Sequence, residues 1–179
     1  MLQISLSGTG GQGLILAGII LAEAAIMDGN EAIQTQSYGP EARGGASKAE
    51  VIISNKPIDY PHVLSADILL VMSQESCNKY SGLVRPGGQM LVDTSVVWEI
   101  PKVAASVIPL EITRVAKEEL GKVMVANIIA MGALVGLTGA VSVEALKAAV
   151  LARVPKGTEK LNLQALEMGF NMVKGLKKI

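Results

Sequence analysis

The sequence predicts an α/β fold, a Rossmann-like, doubly wound and mostly parallel sheet with helices on both faces. Short, continuously apolar runs alternate with stretches of helical length, as strands buried on both sides alternate with the helices that cover them. The first apolar run ends in a Gly-x-Gly-x-x-Gly turn that opens a helix. Clusters of glycine, proline and asparagine punctuate the segments. A chain of 179 residues suits a single domain over residues 1–179. At that size it buries roughly 70% of its unfolded surface and can build its own core.

Residues 2–7 are short and apolar, as a central strand is, and residues 8–13 form the glycine-rich turn. Residues 14–27 have helical length and stop at Asp28-Gly29-Asn30. Residues 32–36 read as a second strand, 37–46 as a long polar turn, and 49–54 as a third strand closed by Asn55-Lys56-Pro57. A short helix is expected over 61–66. Residues 67–73 make the clearest buried strand, followed by a helix over 75–83 and a turn at Pro86-Gly87-Gly88. Strands follow at 90–93 and 106–110, and 111–136 reads as mostly helix. Ser142 caps a helix that runs to about Arg153 and breaks at Pro155-Lys156-Gly157. Thr158 caps the last helix. Glu159 in its first turn and Lys174, Lys177 and Lys178 toward its end complement the helix dipole. These final helices exceed one layer, so one of them is expected to pack outward against a partner.

Sixteen basic and sixteen acidic side chains leave no net charge, and aromatics make up 3% of the chain. A nucleic-acid binder would carry a basic stripe and stacking platforms, so none is expected. The lone Cys77 excludes an intrachain disulfide, and with a single His, His62, it leaves too few ligands for a zinc site or an iron–sulfur cluster. The first residues lack the basic region of an export signal. Residues 123–141 carry no charge and include a small-xxx-small spacing, Gly132-Ala-Leu-Val-Gly136. Their length would span a bilayer, but Asn127, Thr138 and the glycines lower their hydrophobicity. They read as a helix buried on all sides, partly by another subunit. The expectation is a cytoplasmic protein with no membrane segment.

The first glycine loop is Gly8, Thr9, Gly10, Gly11, Gln12 and Gly13. Two readings stand. In one, the unpaired N–H groups of the following helix cradle a phosphate. In the other, the glycines only let strand and helix pack closely. A dinucleotide would require an acid about 20 residues on, at the end of the second strand. That strand ends in Gln34-Thr35-Gln36, with Glu31 at its wrong end, and no Gly-Lys-Ser/Thr of a P-loop occurs.

The second loop holds Ser37, Tyr38, Gly39, Pro40, Glu41, Arg43, Gly44 and Gly45. In a doubly wound sheet it emerges beside the first. Its length favours a recognition surface, where Arg43 offers a planar fork to a phosphate or carboxylate, over a solvated turn. His62 shows no evident Ser, Cys or carboxylate partner. Cys77 reads as a core thiol. Asp93 either binds a hydroxyl or caps a turn, and Trp98 either anchors an interface or caps the sheet edge.

Residues 8–13, 34–54 (Gln-Thr-Gln-Ser-Tyr-Gly-Pro-Glu-Ala-Arg-Gly-Gly and the strand after it) and 67–75 together resemble the gamma subunits of 2-oxoacid:ferredoxin oxidoreductases, above all those acting on 2-oxoglutarate. The resemblance runs over essentially the whole chain, including Asp59-Tyr60-Pro61. It implies a complex that converts a 2-oxoacid and coenzyme A to acyl-CoA and CO2 and reduces ferredoxin or flavodoxin. It also implies alpha, beta and ferredoxin-like delta subunits as partners, with thiamine diphosphate, magnesium and iron–sulfur clusters held there and none by this chain. Gly8, Thr9, Gly10, Gly11, Gln12 and Gly13, with Arg43, then contact coenzyme A. Ser37, Tyr38, Gly39, Glu41 and Gly44 form the subunit interface, and no residue is catalytic. The isolated chain is expected to be inactive, with self-association into a homodimer left open. The alternative is a free-standing Rossmann-type nucleotide-binding oxidoreductase. The missing acid, and the lack of any base–nucleophile pair, weigh against it.

Overall fold

The computed structural model describes residues 1–37 and 45–176. The first apolar run becomes a central strand, β1 (Leu2–Thr9). Beyond it the chain contributes β2 (Glu31–Ser37), β3 (Ala46–Ser54), β4 (Ala66–Val71), β5 (Val84–Asp93) and β6 (Ser106–Leu110). They form one sheet in the order β2-β3-β1-β4-β5-β6. The β1–β4, β4–β5 and β5–β6 ladders are parallel, whereas β3 runs against both of its neighbours. The sheet is therefore mostly parallel, as the sequence predicts.

The placing of β2 corrects the expectation that the first two strands are neighbours. A short link joins β2 to β3, and a parallel return needs a crossover of a dozen or more residues, so β3 must come back antiparallel. It does so between β1 and β2. The carboxyl ends of β1 and β2 still face the same edge.

Alternation along each strand sorts two apolar faces. Ile4, Leu6, Val51, Ile53, Ile68, Leu70 and Leu91 lie on one face, which α1 (Leu14–Met27), the link from β1 to β2, covers over β1, β2 and β3. Leu69, Val71, Met90 and Val92 face the other way, toward Cys77 of α2 (Gln74–Tyr80) and Val97. The first face carries most of the core. It also receives α3 (Ile112–Glu118), α4 (Ala126–Thr138), α5 (Val143–Arg153) and α6 (Glu159–Met172).

Local chemistry sets the boundaries. Ser73 and Ser142 cap α2 and α5 by accepting from Ser76 N at 3.2 Å and Ala145 N at 3.1 Å. Asp28, just past α1, accepts from both Ser142 N and Ser142 Oγ at 2.6 Å and so ties the end of α1 to the start of α5. Thr158 precedes α6 without capping it. Its hydroxyl donates to Pro155 O at 2.7 Å and accepts from Asn162 Nδ2 at 3.0 Å.

Several expected boundaries shift. Residues 61–66 form bends rather than a helix, with Val63 buried against Ile52 and Ala66. Leu64 N there donates to Gln3 Oε1 at 3.1 Å, not to a helical carbonyl. The long helix expected after β6 breaks at Gly121, whose φ of 64° turns the chain, and Lys122 N donates back to Ala116 O at 3.0 Å. β5 starts early: the β4–β5 ladder jumps from Ala66↔Val84 to Ile68↔Gln89, so Pro86-Gly87-Gly88 form a bulge within a strand. Gly8 and Thr9 belong to β1, opposite Ser47 and Ala46.

α4 is buried along almost its whole length, and this chain covers it without help from another subunit. The cover is α6, which lies outside α4 as a further layer. A Cβ on Gly132 would stand 2.3 Å from Leu166 O, and one on Gly169 would stand 2.0 Å from Ile129 O. The small-residue spacing thus serves backbone-to-backbone packing between helices of one chain. Among the described residues no helix is long and apolar enough to cross a membrane.

That packing is testable. Gly169→Ala forces backbone apart and is expected to lower stability by about 3 kcal/mol, or the melting temperature by roughly 6–12 °C. Gly82→Ala, where a Cβ meets nothing within 4 Å, should stay within about 0.5 kcal/mol of the parent. Equal denaturant midpoints for the two variants would refute the close approach.

Candidate functional site

The carboxyl ends of β1, β4, β5 and β6 share one edge, and the loops leaving them bound a cleft of about 540 Å³. This is where an open α/β sheet places its ligands. Gly11, Gln12 and Gly13 form one wall. Val123, Met124 and Asn127, at the amino end of α4, form the facing wall, and Pro155, Thr158 and Leu161 close a third side. Apart from the loop backbone, the lining is mostly apolar.

Within the glycine loop, three glycines answer to the chain's own geometry. Gln12 folds back across the loop, accepting from Thr9 N at 2.7 Å and donating to Met72 O at 2.8 Å. A Cβ on Gly8 would lie 2.2 Å from Gln12 Oε1. Gly11 and Gly13 have φ of 96° and 75°, which side chains rarely adopt. A Cβ on Gly13 would also stand 2.6 Å from Asn127 Nδ2. Gly10 differs. Its φ is unremarkable, and among the described residues nothing lies within 4 Å of where its Cβ would be. Among the described residues, internal packing therefore accounts for Gly8 and Gly13 but not for Gly10.

The donors of α1 point the same way. Gly13 caps the helix without any side-chain hydrogen bond, so the amides of its first turn have no capping group. The acid expected of a dinucleotide site has no place here. β3, not β2, lies beside β1, and Gly10 N donates to Gly45 O at 3.4 Å where the second loop re-enters the sheet. The two loops do meet, as predicted. Of the second loop, exposed Ser37 and buried Gly45 are described, whereas Tyr38, Gly39, Glu41, Arg43 and Gly44 lie outside the described residues.

The other singled-out residues resolve. Asp93 caps turns: it accepts from Ser95 N at 3.1 Å, from Thr113 N at 3.0 Å and from the Thr113 hydroxyl. Cys77 is fully buried, and burial pushes its thiol pKa up, the reverse of what a nucleophile needs. Trp98 does not cap the sheet. It is 81% exposed while its backbone is fixed, since Trp98 N and Glu99 N both donate to Gln74 Oε1 at 3.0 Å.

His62 has a carboxylate partner after all. Its Nδ1 stands 3.6 Å from Oε2 of buried Glu50, which also accepts from Thr35 Oγ1 at 3.1 Å and from Lys48 Nζ. The irregular 55–65 segment creates this contact, so no local pattern could have signalled it. Glu50 is buried among these partners and lies across the sheet from α1. Asn127, which proves to touch the glycine loop, appeared in the sequence only as a polar interruption in an apolar helix. Among the described residues no three His, Cys, Asp or Glu side chains gather as a metal site would require.

Comparison with known proteins fixes the family. The pattern of the pyruvate ferredoxin/flavodoxin oxidoreductase family matches residues 3–172. The 2-oxoglutarate synthase subunit KorC of Methanocaldococcus jannaschii is 50% identical over 177 residues, covering 97% of this chain and 95% of that one. The crystal structure of the gamma subunit of a keto/oxoacid ferredoxin oxidoreductase from Geobacter sulfurreducens superposes with a TM-score of 0.88 at 50% identity, over 97% of this chain and 99% of that one. The 2-oxoglutarate:ferredoxin oxidoreductase of Magnetococcus marinus shares the fold, with a TM-score of 0.89 at 23% identity; it covers 99% of this chain, which matches 32% of that longer one. With a family pattern spanning nearly the whole sequence and a half-identical relative matched over 95% of its own length, the chain belongs to the pyruvate ferredoxin/flavodoxin oxidoreductase family, as a subunit of the gamma type.

Proposed function

We propose that this chain is the gamma subunit of a cytoplasmic 2-oxoglutarate:ferredoxin oxidoreductase and that its glycine loop receives coenzyme A. The complex converts 2-oxoglutarate and coenzyme A to succinyl-CoA and CO2 and passes two electrons to ferredoxin or flavodoxin. Half-identity to a 2-oxoglutarate synthase subunit, over 95% of that subunit's length, supports the substrate. A protein of the same fold has been solved with 2-oxoglutarate, coenzyme A and succinyl-CoA bound, which supports the ligand.

The observation that carries the site is Gly10. It is the one loop glycine whose missing side chain serves nothing in the described chain. Coenzyme A is polyanionic. The uncapped amino end of α1 offers backbone donors and the positive end of a helix dipole, and the apolar cleft beside it suits the ligand's uncharged arm. The loop contains no Lys or Arg, so Arg43 in the second loop supplies the charged fork.

The residues here do not fit thiamine diphosphate with its magnesium, or iron–sulfur clusters. The single Cys is buried, and no acidic cluster accompanies it among the described residues. These groups belong to alpha, beta and ferredoxin-like delta partners, with Ser37, Tyr38, Gly39, Glu41 and Gly44 at the junction with them. The chain, one gamma-type domain over residues 1–179, contributes no catalytic residue. It binds, orients and excludes water.

Two measurements test this. In the assembled complex, Gly10→Val, by blocking close approach to the loop, and Arg43→Ala, by removing a charge-assisted hydrogen bond, should each raise KM for coenzyme A about tenfold. Gly10→Val should change the melting temperature of the free chain little, because a Cβ there meets no described residue within 4 Å. Unaltered KM in both variants would leave a scaffold without ligand contact. Separately, the purified chain alone should be colourless, turn over no 2-oxoglutarate and capture its partner subunits in a pull-down. Tight, stoichiometric NAD binding by it would falsify the subunit reading in favour of a free-standing oxidoreductase.

A further inference from the structure

Asn127 ties two walls of the cleft together, and its role rests on the reading of the glycine loop as the receiver of coenzyme A. Asn127 stands in the first turn of α4, a helix otherwise built of apolar and small residues up to Thr138, and it is 6% exposed. A buried amide in such surroundings costs stability unless both of its ends are bonded. Here they are. Asn127 Nδ2 donates to Gly13 O at 3.2 Å, and Asn127 Oδ1 accepts from Ile128 N at 3.0 Å.

Each bond has a consequence for the cleft. Gly13 O already accepts from Ala17 N at 3.0 Å, so α1 has no need of Asn127 to satisfy that carbonyl. The extra bond ties the amino end of α1 to that of α4, across 114 positions of sequence. The bond to Ile128 N consumes one of α4's first-turn donors, and Ala126 N turns back to Val123 O. The first turn of α1, by contrast, keeps its donors uncapped. Two helices open toward the cleft, and Asn127 quiets one while orienting the other. Gly13 and Asn127 are mutually dependent, since any Cβ on Gly13 would occupy the amide's place, 2.6 Å from Nδ2.

We infer that Asn127 is the positioning residue of the coenzyme A cleft: its side-chain amide acts through Gly13 to set the attitude of the α1 amino end toward the ligand's phosphates.

The assembled complex carrying Asn127→Asp or Asn127→Leu provides the test. Asp is isosteric and still accepts from Ile128 N, but it sets a carboxylate against the Gly13 carbonyl beside an anion site. KM for coenzyme A should rise about thirtyfold in Asn127→Asp and about tenfold in Asn127→Leu. KM for 2-oxoglutarate and kcat should stay within about twofold, a separation that general destabilisation does not produce. Parallel losses in kcat and both KM values, or failure of both variants to assemble, would make Asn127 structural and overturn the inference. So would an unchanged KM for coenzyme A in both variants. Gly10→Val measured alongside separates the two levels. If it raises KM for coenzyme A while the Asn127 variants do not, the positioning role alone falls. If Gly10→Val also has no effect, the reading of the loop falls with it.

Discussion

The cleft depends on how closely α6 lies against α4. Gly132 and Gly169 remove the side chains that would hold those helices apart, and their backbones meet at distances no Cβ would permit. Because α6 runs outward from Thr158 and α4 from Val125, that single contact sets where both helices begin, and both beginnings are walls of the cleft. A helix pair at ordinary separation would move Leu161 and Asn162 away from the glycine loop. Packing in the core therefore fixes a dimension of the site.

The same contact explains why a helix apolar on all sides needs no neighbouring subunit. The sheet lies beneath α4 and α6 above it, so its hydrophobic circumference is satisfied within the chain. Assembly with other subunits is then a matter of surface. Where the backbone is already fixed, as it is at exposed Trp98 by the hydrogen bonds to Gln74, covering the side chain would cost only its own rotamer freedom.

Much of this was legible in the sequence, and the limits are instructive. α1 and α5 begin and end where Gly13, Asp28-Gly29, Ser142 and Arg153 say they should, because caps and breakers are local chemistry. The short helix expected over 61–66 failed because a long-range bond, Leu64 N to Gln3 Oε1, replaced the helical one. The insertion of β3 is not legible in the sequence because strand order is a property of the sheet, not of any segment. In the site, the glycine spacing was visible, but which glycines were internal necessities was not. That distinction needs the positions of Gln12 and Asn127, the latter contributed by a helix more than a hundred residues away. The Glu50 partner of His62 was hidden for the same reason.

The position of β3 also decides what the glycine loop can recognise. In a dinucleotide-binding sheet the second strand lies beside the first, and the acid at its end meets the ribose. Here β3 occupies that place, paired with β1 up to Thr9↔Ala46, and Gly10 bonds the carbonyl of Gly45 just before it. The ground a ribose would need is filled by backbone of this chain. What survives of the Rossmann design is the part that does not depend on the second strand: a glycine turn, an uncapped helix and a cleft at the carboxyl edge. Those elements suit a phosphate joined to a long flexible body, entering along the wall formed by α4 and α6. Strand order alone thus removes from this loop the neighbour that a dinucleotide's ribose would need.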